Sequence, residues 1–306
     1  MEKQLWIACE DGNVEEVINL LQNTQININW QDSQYSRTPF WIACSNGYIE
    51  IVKLLLSDKR VDINKADNYG RTPFNSVCYE GRTEIVKLLL NNKRVDINQA
   101  TKSGETPLWI ACYDGHIEIV KLLLNDERID INKADNDCTP FWIACTYKYI
   151  EIVKLLLNDN RVDIIKANSK GRTPLSIVCE VGWIEIVKLL LNDKRIDINK
   201  ANNYDQTPFW ISCYWDQIEI VKYLLACGRE IEINKQNNYG KTGLDIAREN
   251  GKTKIVELIE SFERNQNETR MKLRIELGLA GKFIYFYLFI YLSYFSDFFI
   301  SSSSRY

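Results

Sequence analysis

The chain has 306 residues, a formal net charge of −3 and a hydrophobic share of 45%. This composition is ordinary for a folded, soluble protein, and the nearly balanced charge provides no basic field that would favour nucleic acid as a partner. The first residues are polar and no long apolar stretch follows them, so no signal peptide is expected at the N-terminus. We therefore expect a protein of the cytoplasm or the nucleus.

A Thr-Pro dipeptide recurs along the chain and marks the beginning of a repeated segment. The recurring threonines are Thr38, Thr72, Thr106, Thr139, Thr173 and Thr207, and Thr242-Gly243 continues the series. Successive marks are separated by 33 to 35 residues. A repeat of this length predicts a stack of small units in which each unit contacts its neighbours, rather than one large core.

Each repeat is predicted to contain two short helices and an extended loop, as the Thr38 repeat illustrates. Thr38 would cap the first helix, and the proline after it is tolerated in the first turn. Residues 40–45 are apolar nearly all round, so this helix must be buried. Gly47 would end the first helix, the second helix would begin at 49 with apolar residues at helical spacing, and the turn at 67–70 would lead to the next repeat.

Cysteines also recur once in each repeat. The recurring positions are Cys9, Cys44, Cys78, Cys112, Cys145, Cys179 and Cys213. Packed helices lie roughly 8–10 Å apart, whereas a disulfide requires Cα atoms within about 7 Å. We interpret these residues as small, buried, apolar side chains in a reducing compartment.

The repeated phrases resemble the signature of the ankyrin repeat family. The family pattern T-P-L-H-x-A is similar to TPLWIAC at 106–112 and to TPFWIAC at 38–44 and 139–145, and the family's G-H-x-E-I-V is similar to 115–120. The resemblance covers about residues 1–263. It implies an all-α fold, an ankyrin-repeat solenoid of paired antiparallel helices joined by β-hairpin-like loops, here followed by a hydrophobic C-terminal tail.

The repeat boundaries divide the chain into successive segments. We expect an N-terminal capping repeat at 1–34, six repeats of about 34 residues at 35–241, a C-terminal capping repeat at 242–263, a charged linker at 264–282, an apolar aromatic segment at 283–300 and a serine-rich end at 301–306.

Two departures from the family pattern affect the predicted structure. Tryptophan replaces the family's histidine in four repeats, and we expect its packing area to replace the hydrogen bonds that this histidine makes between neighbouring turns. Lys148 and Asp216 replace the glycine between the two helices of their repeats. We expect strain in those two turns, because glycine adopts a positive φ more easily than other residues.

The residues that catalysis would require are missing from the pattern. His116 is the single histidine, and it occupies a structural position of the family at the start of a second helix. Neither a phosphate-binding glycine motif nor a C-x-x-C pair is present. The aspartates recur in every repeat, as expected of residues that belong to the fold. We therefore predict that the protein is not an enzyme and has no cofactor and no metal site.

The resemblance implies that a partner protein docks on a concave face built from the turn tips and the exposed ends of the first helices. Residues that bind should differ between repeats while the framework stays constant, and tyrosine, tryptophan and arginine are typical of binding hot spots. Some of these rings could instead only cover neighbouring layers. The predicted partner-binding residues are Tyr69, Arg71, Tyr79, Glu80, Glu105, Tyr113, Asp114, Tyr147, Tyr204, Tyr214, Trp215 and Tyr239.

The segment 283–300 has three interpretations. Eighteen residues in a helix reach about 27 Å, near the lower limit for a membrane span, and the basic residues before them favour a cytosolic N-terminal side. The segment could also dock on the last repeat as an apolar helix. Its restriction to residues with codons rich in T and A is also typical of translated non-coding sequence.

These observations predict a scaffold or adaptor that binds an unidentified protein partner and whose repeat domain is monomeric. One alternative is a membrane-tethered protein, or the cytosolic part of a membrane protein, that recruits partners. Another is a non-catalytic targeting subunit of an enzyme complex.

Overall fold

The computed structural model of the chain describes residues 1–135 and 137–280. It divides into two compact parts, one ending at Pro174 and the other beginning at Leu175. Throughout the described residues the regular structure is helical and contains no strand, which confirms the predicted all-α class. The segments 283–300 and 301–306, with the three interpretations of the tail, lie outside the described residues.

The helices alternate between the first and second helix of each repeat. The first helices are α1 (Glu2–Asp11), α3 (Pro39–Asn46), α5 (Pro73–Tyr79), α7 (Pro107–Tyr113), α9 (Pro140–Thr146), α11 (Pro174–Val181), α13 (Pro208–Tyr214) and α15 (Gly243–Glu249). The second helices are α2 (Val14–Leu21), α4 (Ile49–Ser57), α6 (Thr83–Leu90), α8 (Ile117–Leu124), α10 (Ile150–Asn158), α12 (Ile184–Asn192), α14 (Ile218–Ala226) and α16 (Thr253–Arg264). A further helix, α17 (Gln266–Glu276), follows them.

In the six repeats that contain Thr-Pro, the threonine directly precedes the first helix, as predicted. In α7, the Thr106 hydroxyl accepts a hydrogen bond from the Trp109 backbone amide at 3.2 Å, and proline occupies the first turn. Thr72 forms the same cap and also shares a reciprocal capping box with Asn75. These contacts satisfy amide groups that have no partner within the helix, so the dipeptide positions the start of the repeats that contain it.

The core lies between successive helices of the same kind. In the N-terminal part, α1, α3, α5, α7 and α9 pack in sequence, and α13 packs on α15 in the C-terminal part. The first helices of the Thr-Pro repeats, such as α7, are buried over nearly their whole length, whereas the terminal helices α1 and α15 bury three residues each. Most second helices contribute one apolar stripe, such as Ile119, Val120 and Leu123 in α8. All nine cysteines are free thiols and the seven that recur with the repeat are buried, which confirms their interpretation as small apolar core residues.

The tryptophans at the family's histidine position form hydrogen bonds to the next repeat. The sequence instead predicts that they contribute packing area only. The indole Nε1 of Trp41 donates to the Arg71 carbonyl at 2.9 Å, and Trp109 donates to the Cys138 carbonyl at 3.1 Å. In both cases the acceptor directly precedes the next Thr-Pro. The expectation that packing replaces this hydrogen bond was therefore wrong: indole provides a donor that reaches the following repeat, as well as apolar area.

A second link between repeats comes from an asparagine in the loop after the second helix. The Asn64 amide donates to the Arg94 carbonyl at 2.8 Å, and its Oδ1 accepts from the Asp96 backbone amide at 3.0 Å. Asn29, Asn98 and Asn132 form the same pair of bonds in the N-terminal part, and Asn199 does so in the C-terminal part. One side chain thus satisfies two backbone groups of the next repeat.

The two turns that lack glycine have the backbone that the sequence predicts. Lys148 has φ 62° and Asp216 has φ 59°, both in the left-handed region. The corresponding glycine of the Thr106 repeat, Gly115, has φ 77°. A side chain in this region costs roughly 1–2 kcal/mol, so both turns are strained.

The predicted charged linker at 264–282 has a different structure over its described residues, 264–280. It contains α17, which packs on α14 and α16, with Thr269 and Leu273 buried in the contact. Thr269 and Leu273 are four residues apart and therefore lie on the same side of α17, which is otherwise polar.

Two arginines of α17 complete the carboxyl end of α14. Arg270 Nε donates to the Leu225 carbonyl at 3.1 Å, and Arg274 Nη1 donates to the Ala226 carbonyl at 3.0 Å. The last carbonyls of a helix have no partner within it and favour a nearby cation. The polar composition of this segment therefore reflects capping of the last repeats.

Candidate functional site

The predicted partner-binding residues lie in both compact parts. The N-terminal part carries Tyr69, Arg71, Tyr79, Glu80, Glu105, Tyr113, Asp114 and Tyr147, and the C-terminal part carries Tyr204, Tyr214, Trp215 and Tyr239. All eight aromatic members are exposed, from 38% for Tyr113 to 76% for Tyr239. Glu80 is also exposed, whereas Arg71, Glu105 and Asp114 are half-buried.

The ends of the first helices present several of these rings. Tyr79 and Tyr113 are the last residues of α5 and α7, and Tyr147 is the residue that caps α9. The helices α5 and α7 are buried from their proline to the cysteine, and in α9 only Trp142 of the residues from Pro140 to Cys145 is not fully buried. The side chains after the cysteine emerge from the stack, Tyr79 and Tyr113 directly after it and Tyr147 one residue later, so each repeat displays variable residues at the end of a rigid helix.

Three rings of the N-terminal part contact one another. Trp109 stacks on Tyr113 with ring centroids 5.2 Å apart, and Tyr113 meets Tyr147 edge to face at 4.7 Å. A hydrogen bond with the Tyr113 side chain, together with burial, raises the pKa of Tyr147 to about 12. The Tyr147 hydroxyl therefore remains neutral near pH 7. The rings of Tyr113 and Tyr147 form a continuous aromatic surface across two repeats.

Arg71 is engaged within its own turn. Its Nε donates to Asp67 at 2.9 Å, its Nη2 lies 2.8 Å from the same carboxylate, and its guanidinium lies 4.8 Å from the Tyr69 ring centroid. Arg37, which the sequence analysis did not select, lies 4.3 Å above the Trp41 ring. Both arginines directly precede Thr-Pro, and this shared position is a signal that could have identified Arg37.

Three carboxylates of the N-terminal part lie close enough to interact. Burial, together with the charges of Glu80 and Glu105, raises the pKa of Asp114, and His116 opposes this shift. Among the described residues, the buried Oδ2 of Asp114 has no hydrogen-bond partner. Glu105 accepts a hydrogen bond from the Thr101 hydroxyl at 2.9 Å. The surface around Tyr79 and Tyr113 is therefore acidic.

His116 links two repeats. Its Nε2 lies 2.9 Å from the Tyr79 carbonyl, and its ring packs closely over Gly81. Arg82 in the preceding repeat makes the equivalent bond to the Ser45 carbonyl at 3.0 Å. The histidine and the arginine occupy equivalent positions, and each bonds a backbone carbonyl of the preceding repeat. The role of His116 in this contact is therefore structural.

The C-terminal part has its own aromatic cluster. Trp210 stacks on Tyr214 at 5.5 Å, and Tyr214 meets Trp215 edge to face at 5.2 Å. Trp215 is 51% exposed. Tyr204 and Tyr239 lie at turn tips in successive repeats, where they remain exposed. The same two kinds of position, helix end and turn tip, therefore carry the predicted residues in both parts.

The part of the chain that the structure describes contains neither a cluster of metal ligands nor a membrane-spanning helix. Over 1–135 and 137–280, no three histidine, cysteine or carboxylate side chains are grouped as metal ligands would be. Within the same ranges, every helix is too short or too polar to cross a bilayer.

Comparison with known proteins identifies the repeats. The sequence matches the family model described as ankyrin repeats (3 copies) over residues 5–101, 93–168 and 160–237. A search of curated proteins found no match. Ankyrin repeats are in general protein–protein interaction modules and are typically non-catalytic. Because the matches span most of the 306 residues and the helices pair as expected, the chain belongs to the ankyrin repeat family.

Proposed function

We propose that this protein is a scaffold or adaptor that holds a partner protein on the exposed aromatic residues of its repeats. The observation that supports this proposal most strongly is the exposure of eight tyrosine and tryptophan side chains, each between 38% and 76%, at positions that vary from repeat to repeat. Exposed aromatic residues on rigid elements lose little entropy on binding and are enriched in binding hot spots.

The proposed surface in the N-terminal part centres on Tyr79, Tyr113 and Tyr147. Tyr113 and Tyr147 already contact each other, so a partner would meet a pre-organised pair of rings. Pre-organisation lowers the entropic cost of association. We further propose that the protein works in the cytoplasm or the nucleus, which its nine free thiols favour, because disulfides are rare in reducing compartments.

The test uses the full chain as bait with a triple variant, Tyr79→Ala, Tyr113→Ala and Tyr147→Ala. A matched control changes three exposed residues of the second helices, Glu84→Ala, Glu118→Ala and Glu151→Ala. Proteins captured from cell extract are quantified by mass spectrometry, and circular dichroism checks that all baits are folded. We expect a defined set of partners that the control retains and the tyrosine variant loses. Retention of the same set by the tyrosine variant would show that these rings do not bind partners.

A further inference from the structure

The residue before Thr-Pro changes its charge between repeats of the N-terminal part. In the Thr38 and Thr72 repeats it is Arg37 or Arg71, and both guanidinium groups lie over the Trp41 ring, at 4.3 Å and 5.9 Å. In the Thr106 repeat it is Glu105. The chain thus places its own arginines over Trp41, whereas the residue before Thr106, at the position equivalent to Arg37, is a carboxylate.

No cation of the chain replaces those arginines in the Thr106 repeat. In the described ranges, no arginine or lysine lies over the Trp109 ring, which stacks on Tyr113 instead. Tyr113 is 38% exposed, so its ring meets solvent next to acidic side chains. A cation at this place would be attracted both to the aromatic face and, separately, to the nearby carboxylates.

The carboxylates of this region are also unpaired. Glu80, Glu105 and Asp114 form no ion pair with arginine or lysine in the part of the chain that the structure describes. Elsewhere in the chain, Asp67 and Asp126 each bind a neighbouring arginine. The mutual repulsion of the three carboxylates contributes to the raised pKa of Asp114, and a cation from outside would relieve it.

We infer that the acid–tyrosine patch, formed by Tyr79, Glu80, Glu105, Tyr113, Asp114 and Tyr147, binds an arginine-containing segment of the partner protein. The inference rests on the proposed function and specifies the chemistry of the partner. Arginine fits better than lysine, because a planar guanidinium can stack on a tyrosine ring while it donates hydrogen bonds to carboxylates. The Arg37–Trp41 contact shows this stacking within the same chain.

The first test measures binding of two synthetic peptides to the full chain. One peptide contains four Arg-Gly-Ser triplets, and the other contains four Gln-Gly-Ser triplets. Each carries a fluorophore, and binding is followed by anisotropy at low and at physiological salt. We expect the arginine peptide to bind, more weakly as salt rises, and the glutamine peptide not to bind. Equal binding of both peptides, or no binding of the arginine peptide at millimolar protein, would overturn the inference.

The second test separates the patch from the overall charge. The variant Glu80→Gln, Glu105→Gln, Asp114→Asn removes the patch charges, and the control variant Glu84→Gln, Glu118→Gln, Glu151→Gln makes the same change of net charge on the second helices. Because three partly exposed charge pairs would be lost, the patch variant should bind the arginine peptide about tenfold more weakly, a change of about 1.4 kcal/mol. The control should bind it as the unmodified chain does, and an equal loss in both variants would contradict the assignment.

The two proposals fail in different ways. One outcome is that the tyrosine variant loses its cellular partners while the patch variant keeps them. In that case the partner docks on the tyrosine rings, but not through an arginine that the carboxylates bind. If the tyrosine variant keeps its partners, the proposed function itself is wrong. If both variants lose the same partners and the second-helix control keeps them, both proposals are supported.

Discussion

Arg128 binds Asp126 through two side-chain hydrogen bonds, from Nε to Oδ1 at 2.9 Å and from Nη2 to Oδ2 at 2.6 Å. The same Nη2 donates to the carbonyl of Leu90, the last residue of α6 in the preceding repeat, at 2.9 Å. Asp126 therefore holds the guanidinium in the orientation that caps a neighbouring helix. The hydrogen bonds from Arg128 lower the pKa of Asp126.

The Thr72 repeat contains a natural comparison for this ion pair. Arg94 donates to the Leu56 carbonyl at 3.1 Å, but the residue at the aspartate position is Asn92. We expect Asn92→Asp to stabilise this repeat by about 0.5–1 kcal/mol at pH 7, because it adds the charge-assisted bond that Arg128 makes. The urea unfolding midpoint and hydrogen exchange in α4 would measure the gain, and Asp126→Asn should give the opposite change near α6.

The pH dependence of this gain follows from the direction of the pKa shift. A carboxylate whose pKa is lower in the folded chain contributes its full stability above the unfolded value, about 4. The contribution is lost as the pH falls through the lower, folded value. The Asn92→Asp variant and the unmodified chain should therefore converge in stability once the pH lies below the folded pKa of the new carboxylate. A gain that persists in acid would show that the ion pair is not its source.

The strained turn at Lys148 should be improved by glycine. Lys148→Gly removes the penalty of a side chain at positive φ, offset in part by the larger entropy of glycine in the unfolded chain, so we expect a net gain of about 0.5–1 kcal/mol. The reverse change, Gly115→Ala, should destabilise, because its Cβ would lie 2.4 Å from the Tyr149 ring. Chemical denaturation of both variants measures the two changes in unfolding free energy. A loss of stability in Lys148→Gly would contradict the prediction that this turn is strained.

The hydrogen bond from the Trp109 indole to the Cys138 carbonyl should contribute to the free energy of unfolding. This contribution is additional to that of the buried apolar area of the ring. Trp109→Phe keeps an aromatic ring but removes the indole donor from the Cys138 carbonyl, which keeps its bond from the Asp135 amide, so the loss should be about 0.5–1.5 kcal/mol. Trp215→Phe is the matched control, since Trp215 is 51% exposed. Thermal unfolding of both variants distinguishes them, and equal effects would argue against a role for the bond.

The contact of α17 with the last repeats should depend on Leu273. Leu273 is 4% exposed, so Leu273→Ala should destabilise the C-terminal part by about 2–3 kcal/mol. Met271→Ala, on the exposed side of the same helix, should have little effect, since Met271 is 40% exposed. Hydrogen exchange in α14 and α16 would report the difference. Similar protection in both variants would mean that α17 does not stabilise these helices.

Much of the fold was predictable from the sequence because its signals are local. A threonine cap such as Thr106 and the apolar pattern after it depend on residues within one turn of a helix, and both recur in register. The same holds for Lys148, whose position between two helices requires a positive φ. The Trp109–Cys138 bond was not predictable, because it depends on how the indole is oriented toward the next repeat.

The helix α17 shows a different limit of sequence reasoning. Only Thr269 and Leu273 of this helix are buried, too few to produce a clear apolar stripe. The contacts of Arg270 and Arg274 are with backbone carbonyls, and no pattern of side chains reveals such acceptors.

The candidate site was predictable as a set of positions but not as an arrangement. Variation between repeats identified Tyr113 and Tyr147 as exposed residues, and the structure brings their rings into contact. It also shows that Arg71 is bound to Asp67, which reduces its freedom to meet a partner. Whether any of these residues binds a partner stays a prediction.

The arginine caps have a direction. Arg128 and Arg161 each reach back to the carboxyl end of a second helix in the preceding repeat, at Leu90 and Leu124. During synthesis the ribosome releases the N-terminal residues first, so the newest repeat still lacks the arginine that will cap it. In the N-terminal part, α6 and α8 are thus completed by the repeat that follows them. In the C-terminal part, Arg270 and Arg274 of α17 provide the same kind of cap for α14 without adding another repeat.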